Sequence, residues 1–294
     1  MSPLRFSIVV PNYNSGAVLE RAIRSLLDQG YPEIELIAAD SASNDISRQI
    51  LEQHRGAFAA VLSEKDKGQA DGLNKGFAHA RGDIHAWLCA DDELLPGALE
   101  HVARLFAAHP DADVVIGNCE RVFADGSTAI TPARSDTWSI IGIQNVIDQP
   151  STFWRAGLHR RIGSLDASYQ LAFDWDFWCR MRDAGAGLVT TDRVLSRYHF
   201  SETNKSGNAG RQHVRESFRV VRRYGPAGLA WIFRFLYHAF DLKGCYDQPP
   251  TCSAIRSSAF VASLAALRAL IGPERLFLYN WHFASCQERG LRWW

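Results

Sequence analysis

The stretch FSIVVPNYNSGAVLERAIRSLLDQG, residues 6–30, decides the fold. Its first five residues, Phe6 to Val10, form an apolar run that ends at Pro11, which predicts a short buried strand. Residues 15–29 then place apolar side chains at helical spacing, and Gly30 stands where a helix C-cap would fall. The stretch predicts a strand, a polar loop and an amphipathic helix, which is the repeating unit of an α/β sheet.

The same pattern returns along the first half of the chain. Strands are predicted at 34–39, 58–62, 84–88 and 114–117, with helices at 46–54, 69–80 and 96–108. Such alternation is typical of a mostly parallel sheet covered by helices on both faces. Beyond residue 117 the sequence predicts a hairpin around 121–130, a strand at 149–154, a helix at 175–184 and a strand at 195–198, then helices from about residue 210.

Composition argues for a globular protein with a large core. The chain has 294 residues, of which 47% are hydrophobic and 22% charged. The net charge is zero, but residues 1–210 carry 20 Lys and Arg against 27 Asp and Glu, whereas residues 211–294 carry 12 against 5. The basic residues of this last part alternate with bulky apolar ones and form no nucleic-acid-binding module, which argues against a nucleic-acid partner.

Cysteine usage and hydropathy indicate a cytoplasmic protein. Six cysteines show no CxxC pair and no metal-finger spacing, so we expect reduced thiols. The apolar run near the N-terminus is too short for a signal peptide, and no apolar stretch approaches the ~18 to 20 residues that span a membrane.

Polar loops follow the first four predicted strands: PNYN (11–14), DSASND (40–45), EKDKGQADG (64–72) and ADDE (90–93). In parallel sheets ligands bind beyond the carboxyl ends of the strands, so we expect these loops to converge. Asp91 and Asp92 there either hold Mg²⁺ or Mn²⁺ with a phosphate, or are solvated charges at a helix start together with Glu93. Asp40 is placed to bond a nucleobase or ribose, whereas Asp45 fits a helix cap.

These motifs in this order, with QPSTFW (149–154), FDWDFWCR (173–180) and RYHFSETNKS (197–206), resemble the family-2 glycosyltransferases of GT-A fold over roughly residues 5–205. The resemblance implies an α/β, Rossmann-like catalytic domain at 1–209, with a nucleotide-binding half of about 1–117 and an acceptor-side half of about 118–209. Residues 210–294 would be a helical extension. It implies a Mn²⁺- or Mg²⁺-dependent, inverting transfer from a nucleotide-diphosphate sugar, with UDP as the expected nucleotide. The acceptor would be a hydroxyl of a glycan or lipid-linked molecule in cell-surface polysaccharide synthesis.

The resemblance also implies roles for individual residues. Those of the donor site are Pro11, Asn12 and Tyr13 around the base, Asp40 on the base edge, Lys67, Gly68, Asp71 and Asn74 in the nucleotide-sugar pocket, and Asp91 near the ribose and sugar. Asp92 would bind the metal, and His199 would approach the metal or the diphosphate, although a lone histidine is more often structural. Lys67 is equally well read as a solvated loop charge.

The catalytic base is expected in FDWDFWCR. Asp174 matches the family's position, and Asp176 is the second candidate; both could instead be first-turn charges of a helix. Two departures from the family pattern stand out. Ser41 replaces a glycine in the second loop, and Phe173 replaces the acid that usually precedes the base.

Other interpretations stay open at this point. The apolar segments 231–240 and 260–272 are either interfacial helices on an anionic membrane or a helical extension packed on the catalytic domain or on a second subunit. The chain could also be a nucleotidyltransferase, although PNYNSG lacks a Gly-rich phosphate loop, or a catalytically silent nucleotide-sugar-binding adaptor at the membrane surface.

Overall fold

The computed structural model describes residues 3–199 and 210–227. The strands are β1 (Phe6–Asn12), β2 (Ile34–Asp40), β3 (Phe58–Ser63), β4 (Ile84–Trp87), β5 (Glu93–Leu94), β6 (Val114–Val122), β7 (Thr128–Thr131), β8 (Thr152–Arg155) and β9 (Leu188–His199). The helices are α1 (Gly16–Leu27), α2 (Ser47–Gln53), α3 (Gln69–Phe77), α4 (Ala98–Ala108), α5 (Thr137–Ile140), α6 (Ala156–Ile162), α7 (Phe173–Asp183) and α8 (Gly210–Tyr224).

The strands form one sheet in the order β3-β2-β1-β4-β8-β6-β9-β5, and β7 pairs with β6. The first four strands of this order run parallel, as the βαβ pattern predicts. Strand β8 is antiparallel to both of its neighbours, whereas β6 and β9 run parallel to each other. The α/β architecture is thus confirmed, and the carboxyl ends of β1 to β4 meet at one edge of the sheet.

Differences from the predicted elements are concentrated after residue 90. The helix predicted from Pro96 begins at Ala98, because the preceding residues Glu93–Leu94 pair with β9 as the short strand β5. Strand β9 begins seven residues earlier than expected and runs alongside β6. The segment Gln149–Ser151, predicted as strand, is a 3₁₀ turn before β8, since Pro150 has no N–H to donate to a ladder. Helix α6 was not predicted.

Two apolar clusters cover the sheet. One packs the inner residues of β1, β2 and β4 against α1 and α4, with Phe6, Leu19, Ile23, Leu99 and Val102 fully buried. The other consists of aromatic rings from α3, β4, β8, α6 and α7: Phe77, His85, Trp87, Trp154, His159, Phe177 and Trp178. Helix α7 is therefore held on the sheet by packed aromatic rings.

Contacts divide the chain into two compact units. The first consists of Met1–Thr137 with Ile147–Asn204; the second includes Trp138–Val146 and α8. The expected boundary at residue 209 stays a prediction. The apolar segments 231–240 and 260–272 lie outside the described residues. Among the helices of the described ranges, none is both long and apolar enough to cross a membrane.

Candidate active site

The end of β1 is tied to the loop after β2 by a buried polar network. Asn12 Nδ2 donates to Asp40 Oδ1 at 2.7 Å and to Ser43 Oγ at 3.1 Å. Asp40 also accepts bonds from the Ser43 hydroxyl at 2.5 Å and from the Ser63 hydroxyl at 2.9 Å. Asp40 is only 2% exposed, and these donors satisfy its buried carboxyl oxygens. Its predicted contact with a base edge stays a prediction.

The loop that leaves this network offers two features to a ligand. The ring of Tyr13 is 65% exposed, although it directly follows the fully packed Pro11 and Asn12. Asn12 Oδ1 is buried without a hydrogen-bond partner in the described part of the chain. A large exposed ring beside an unsatisfied buried acceptor is an arrangement that a nucleobase would complete.

Asp45 caps two helices at once. Its Oδ2 accepts the N–H of Gly16 at 2.8 Å, and its Oδ1 accepts the N–H of Ser47 at 2.9 Å, so it stands at the first residues of both α1 and α2. The capping role predicted for Asp45 is confirmed and is wider than expected.

The third polar loop is closed by its own side chains. Asp71 Oδ2 accepts the N–H of Lys67 at 3.0 Å, and Asp66 Oδ1 accepts the N–H of Gly68 at 2.9 Å. Gly68 has φ of +130°, and a Cβ added there would meet the side chain of Gln170 at 2.3 Å. This turn therefore requires glycine. The Lys67 side chain is exposed, while Asp71 helps to shape the loop.

Asn74 connects this loop to a distant segment. Its Nδ2 donates to Leu165 O at 2.9 Å, and its Oδ1 accepts the Leu165 N–H at 2.9 Å. A second link is made by Gln170, whose Nε2 donates to Lys67 O at 3.2 Å. Both ends of the Asn74 amide are thus used within the protein, and its predicted place in the lining of the nucleotide-sugar pocket stays a prediction.

Asp91 and Asp92 lie at the carboxyl edge of β4 with Cys89. One ligand atom from each of these three residues lies within 4.8 Å of the others. Asp92 is 1% exposed. Burial raises the pKa of Asp91, and burial followed by the charge of Asp91 raises the pKa of Asp92 well above its ordinary value. A buried carboxylate next to a half-buried one fits a divalent cation, which would offset their charge.

His199 reaches the same place from the end of β9. Its backbone N–H donates to Asp92 Oδ1 at 3.3 Å, but its ring Nε2 lies 2.6 Å from Glu93 Oε1. Glu93 also pairs with Arg21 at 3.2 Å, and Arg21 Nη2 donates to Asp91 O at 2.8 Å. Glu93 is thus not a charge at a helix start, and that reading is wrong. The expected contact of the His199 ring with a metal stays a prediction; residues after His199 in that motif lie outside the described range.

The two candidate bases on α7 occupy different environments. Asp174, in the first turn, is partly exposed, and its Oδ1 accepts the N–H of Trp175 at 2.6 Å. Asp176 is 0% exposed and pairs with Arg180, whose Nε lies 2.8 Å from Asp176 Oδ2. Asp174 is thus the more accessible of the two candidate bases, and the identity of the base stays a prediction.

Stacked indoles connect the metal-binding candidates to this helix. Trp87, four residues before Asp91, lies parallel to Trp178 with ring centroids 5.4 Å apart and an angle of 2°. Trp154 packs edge-on against both rings, at 5.3 and 5.6 Å. Large buried aromatic contacts of this kind fix the position of α7 relative to the β4 edge.

Two further residues at this site, Asp148 and Cys89, were not predicted from the sequence. Asp148 is 12% exposed on its side chain, pairs with Arg121 at 2.6 Å, and adds to the rise in the pKa of Asp92 after burial and Asp91. Cys89 accepts a hydrogen bond from Gln69 Nε2 at 3.3 Å. A signal was available for both, because Asp148 immediately precedes QPSTFW and Cys89 lies inside WLCADDELLPGAL.

The sequence of the chain matches a family of known proteins. The model of the family described as Glycosyl transferase family 2 matches residues 7–159, just over half of the chain. An uncharacterized glycosyltransferase of Nostoc sp. is 29% identical over 97% of this chain and 92% of its own length. A PGL/p-HBAD biosynthesis glycosyltransferase of Mycobacterium tuberculosis is 29% identical over 60% of this chain and 69% of its own.

Solved structures share the fold. S. aureus TarS 1-349 in complex with UDP-GlcNAc has a TM-score of 0.58 at 17% identity, covering 96% of this chain and 88% of TarS 1-349. Mannosyltransferase PcManGT from Pyrobaculum calidifontis, in complex with GDP-Man and Mn²⁺, has a TM-score of 0.59 at 18% identity, covering 98% of this chain and 87% of its own. The family match and the arrangement of the sheet agree, and the chain belongs to glycosyl transferase family 2, with a GT-A fold.

Proposed function

We propose that this glycosyltransferase moves a sugar from a UDP-sugar to a hydroxyl of a glycan or lipid-linked acceptor, with inversion and with a bound divalent metal. The observation that carries the proposal is the pair of adjacent carboxylates, half-buried Asp91 and buried Asp92, at the sheet edge where the loops after β1, β2 and β3 also lie. Their raised pKa values indicate a site that is electrostatically incomplete without a cation.

Donor binding is assigned to the loops after β1, β2 and β3. The exposed Tyr13 ring stacks on the base, and the buried Asn12 Oδ1 accepts a hydrogen bond from an imide N–H, which a uracil provides. Asp40 keeps Asn12 in place by accepting its amide N–H at 2.7 Å. The bound UDP-GlcNAc of TarS 1-349 supports a UDP-sugar, while the bound GDP-Man of PcManGT keeps a second nucleotide in the test.

The carboxylates at the end of β4 are assigned to the diphosphate. Asp92, supported by Asp91 and with the Cys89 thiol nearby, would hold Mn²⁺ or Mg²⁺, which suits oxygen ligands and neutralises a departing diphosphate when bound. The complex of PcManGT with Mn²⁺ supports this choice of ion. Arg21 holds the backbone of Asp91 and the side chain of Glu93, so the pair is kept in one orientation.

Asp174 is assigned as the general base. It takes the proton from the acceptor hydroxyl while that oxygen forms a bond to the anomeric carbon and the bond from this carbon to the diphosphate breaks on the opposite face. The configuration therefore inverts. Asp176 is assigned to structure, because its ion pair with Arg180 fixes α7 from inside.

We also propose the class of acceptor, the pathway and the location of the enzyme. The relative from M. tuberculosis is described as a PGL/p-HBAD biosynthesis glycosyltransferase, which supports a lipid-linked or cell-surface acceptor here. A cytoplasmic enzyme with peripheral membrane contact through residues 211–294 would meet such an acceptor. A homo-oligomer formed through the same residues is the other arrangement to test.

The test is a panel of UDP- and GDP-sugars assayed for hydrolysis or transfer with Mn²⁺, Mg²⁺ or EDTA. We expect turnover with one nucleotide series and metal, loss of turnover in Asp92→Ala and Asp174→Asn, and normal turnover in Glu52→Gln, which changes an exposed acid. A protein that binds a nucleotide sugar but shows no turnover dependent on Asp174 is the adaptor instead. Release of diphosphate from a nucleoside triphosphate would indicate a nucleotidyltransferase.

A further inference from the structure

A polar cavity lies at the edge of the sheet opposite the donor loops. Its volume is about 440 Å³. It is lined by residues just before β1, β4 and β6 and by residues at the end of β8 and in α6, and these include Arg81, Asp83, Asp113, Arg155, Arg160 and Arg161. Strand β1 has seven residues, so the two edges are ~20 Å apart along the strands. The cavity is therefore separate from the candidate active site.

Two of its arginines are already engaged by the protein. Arg155 donates through Nε to Ala112 O at 2.7 Å and lies over the Phe106 ring, 4.9 Å from its centroid. Arg161 lies 3.4 Å from Asp113 Oδ2, at the limit of a hydrogen bond. These two side chains form the wall of the cavity and need no ligand to be stable.

The other two arginines have no such partners. Arg81 and Arg160 are exposed, and neither guanidinium has an ion-pair partner in the described part of the chain. Asp83 is used elsewhere, since its Oδ2 accepts the N–H of Arg5 at 2.9 Å. With four arginines against two aspartates, the lining carries a net charge of plus two. Both guanidinium groups line the cavity and add to its positive charge, which an anion would offset.

We propose that this cavity binds a phosphate-bearing anion. A phosphate group carries close to two negative charges, matching the excess of the lining, and its oxygens accept paired hydrogen bonds from guanidinium groups. The volume falls within the range of small-ligand sites. The phosphate would belong to a soluble phosphorylated molecule or to a lipid headgroup. The proposal does not depend on the assignment of the donor site.

The experiment uses the full chain in EDTA, so that no metal draws an anion to Asp91 and Asp92. Binding of inorganic pyrophosphate is measured by calorimetry in the wild type, in Arg81→Gln/Arg160→Gln, and in Arg48→Gln/Arg104→Gln. The last variant removes the same charge from exposed arginines elsewhere. We expect at least tenfold weaker binding in the first double variant and unchanged binding in the second.

A second arm distinguishes the source of the phosphate. Co-sedimentation with vesicles containing phosphatidylglycerol is compared among the same three proteins. If vesicle binding depends on Arg81 and Arg160, the phosphate belongs to a lipid headgroup. If only pyrophosphate binding depends on these two arginines, the ligand is a soluble molecule. Equal pyrophosphate and vesicle binding by all three proteins, or no binding of either probe, overturns the proposal. Circular dichroism and the melting temperature establish that each variant is folded.

Discussion

Asn74 and Leu165 exchange two hydrogen bonds of 2.9 Å, one in each direction, across 91 residues of sequence. Asn74 belongs to α3, directly after the loop that contains Lys67 and Gly68. Leu165 lies in the segment that leads to α7 and Asp174. The amide side chain of Asn74 therefore joins a donor-side helix to the segment that leads to the candidate base.

Replacing Asn74 with Ala should lower kcat more than it raises the KM for the donor. The change removes two hydrogen bonds, worth about 1 to 3 kcal/mol of unfolding free energy together, and loosens the approach to Asp174. The matched control is Asn118→Ala. Asn118 likewise donates to Asp192 O at 2.7 Å and accepts the Ala133 N–H at 2.8 Å, and it lies on β6, outside the loops after β1, β2 and β3. Steady-state kinetics and denaturant unfolding of both variants check this. An equal loss of kcat in the two variants would contradict the positioning role.

Asp92→Asn should lower turnover by a factor of ~10³ or more, because neutralising the diphosphate is worth several kcal/mol. In EDTA the same change should stabilise the fold. Burial and then Asp91 raise the pKa of Asp92 well above its ordinary value. A raised pKa in the folded state costs stability as pH rises past the ordinary aspartate range, and asparagine avoids this cost.

Urea unfolding in EDTA at pH 5 and pH 8 measures the effect of Asp92. The wild type should lose stability relative to the Asn variant at the higher pH, and added Mn²⁺ should stabilise the wild type more. Asp28→Asn, at an exposed position, serves as the control. Parallel pH curves for wild type and Asp92→Asn would show that the carboxylate is not under electrostatic strain.

Asp174→Asn should lower the transfer activity, whereas Asp176→Asn should lower the stability of the fold. The first should reduce transfer by ~10² to 10⁴ with little change in unfolding free energy, because it removes a positioned base. The second should unfold the protein more easily, toward the lower end of the ~3 to 5 kcal/mol typical of broken buried ion pairs, since the Arg180 side chain is 18% exposed. Assays of transfer and of urea unfolding separate the two, and a stable, inactive Asp176→Asn protein would reverse the assignment.

The buried pair His85 and His159 should make the protein acid-sensitive. Their Nδ1 atoms are 3.0 Å apart. Burial, followed by the charge of Arg160, lowers the pKa of His85 to about 4, and burial, followed by His85, lowers that of His159 to about 3. Both stay neutral in the folded protein, whereas the unfolded chain protonates them below pH ~6.5.

The contribution of these two histidines to the free energy of unfolding is thus complete above pH ~6.5 and is lost as the pH falls toward 4. The free energy of unfolding then falls by about 1.4 kcal/mol per pH unit for each histidine. Denaturant unfolding between pH 7.5 and 5 should show a smaller slope for His159→Gln than for the wild type. His79→Gln, at an exposed position, should keep the full slope. An unchanged slope in His159→Gln would mean that other groups cause the acid sensitivity.

The parallel half of the sheet was predictable because its information is local. The apolar runs at β1, β2 and β3 and the helical spacing of α1 are set by neighbours in sequence, and the structure places them within one or two residues. The family could be predicted for a related reason, because its motifs are short segments at the ends of these strands. Asp91 and Asp92 could be named from sequence alone.

The partners of these residues could not be predicted, because they come from distant parts of the chain. Glu93 reads as a charge at a helix start until β9 brings His199 to 2.6 Å from it. Asp174 and Asp176 differ by two positions in the sequence, yet one is partly exposed and the other has no exposed surface.

The sequence by itself determined the strand and helix order, the family and the carboxylates at the end of β4, since periodicity and motif order are properties of short segments. Only the tertiary structure decided which polar groups are satisfied by the protein and which remain for a ligand. Burial and hydrogen-bond pairing depend on side chains far apart in the chain, and they commit Asn74 to Leu165 and Asp176 to Arg180 while Asn12 Oδ1 remains unpaired within the described residues.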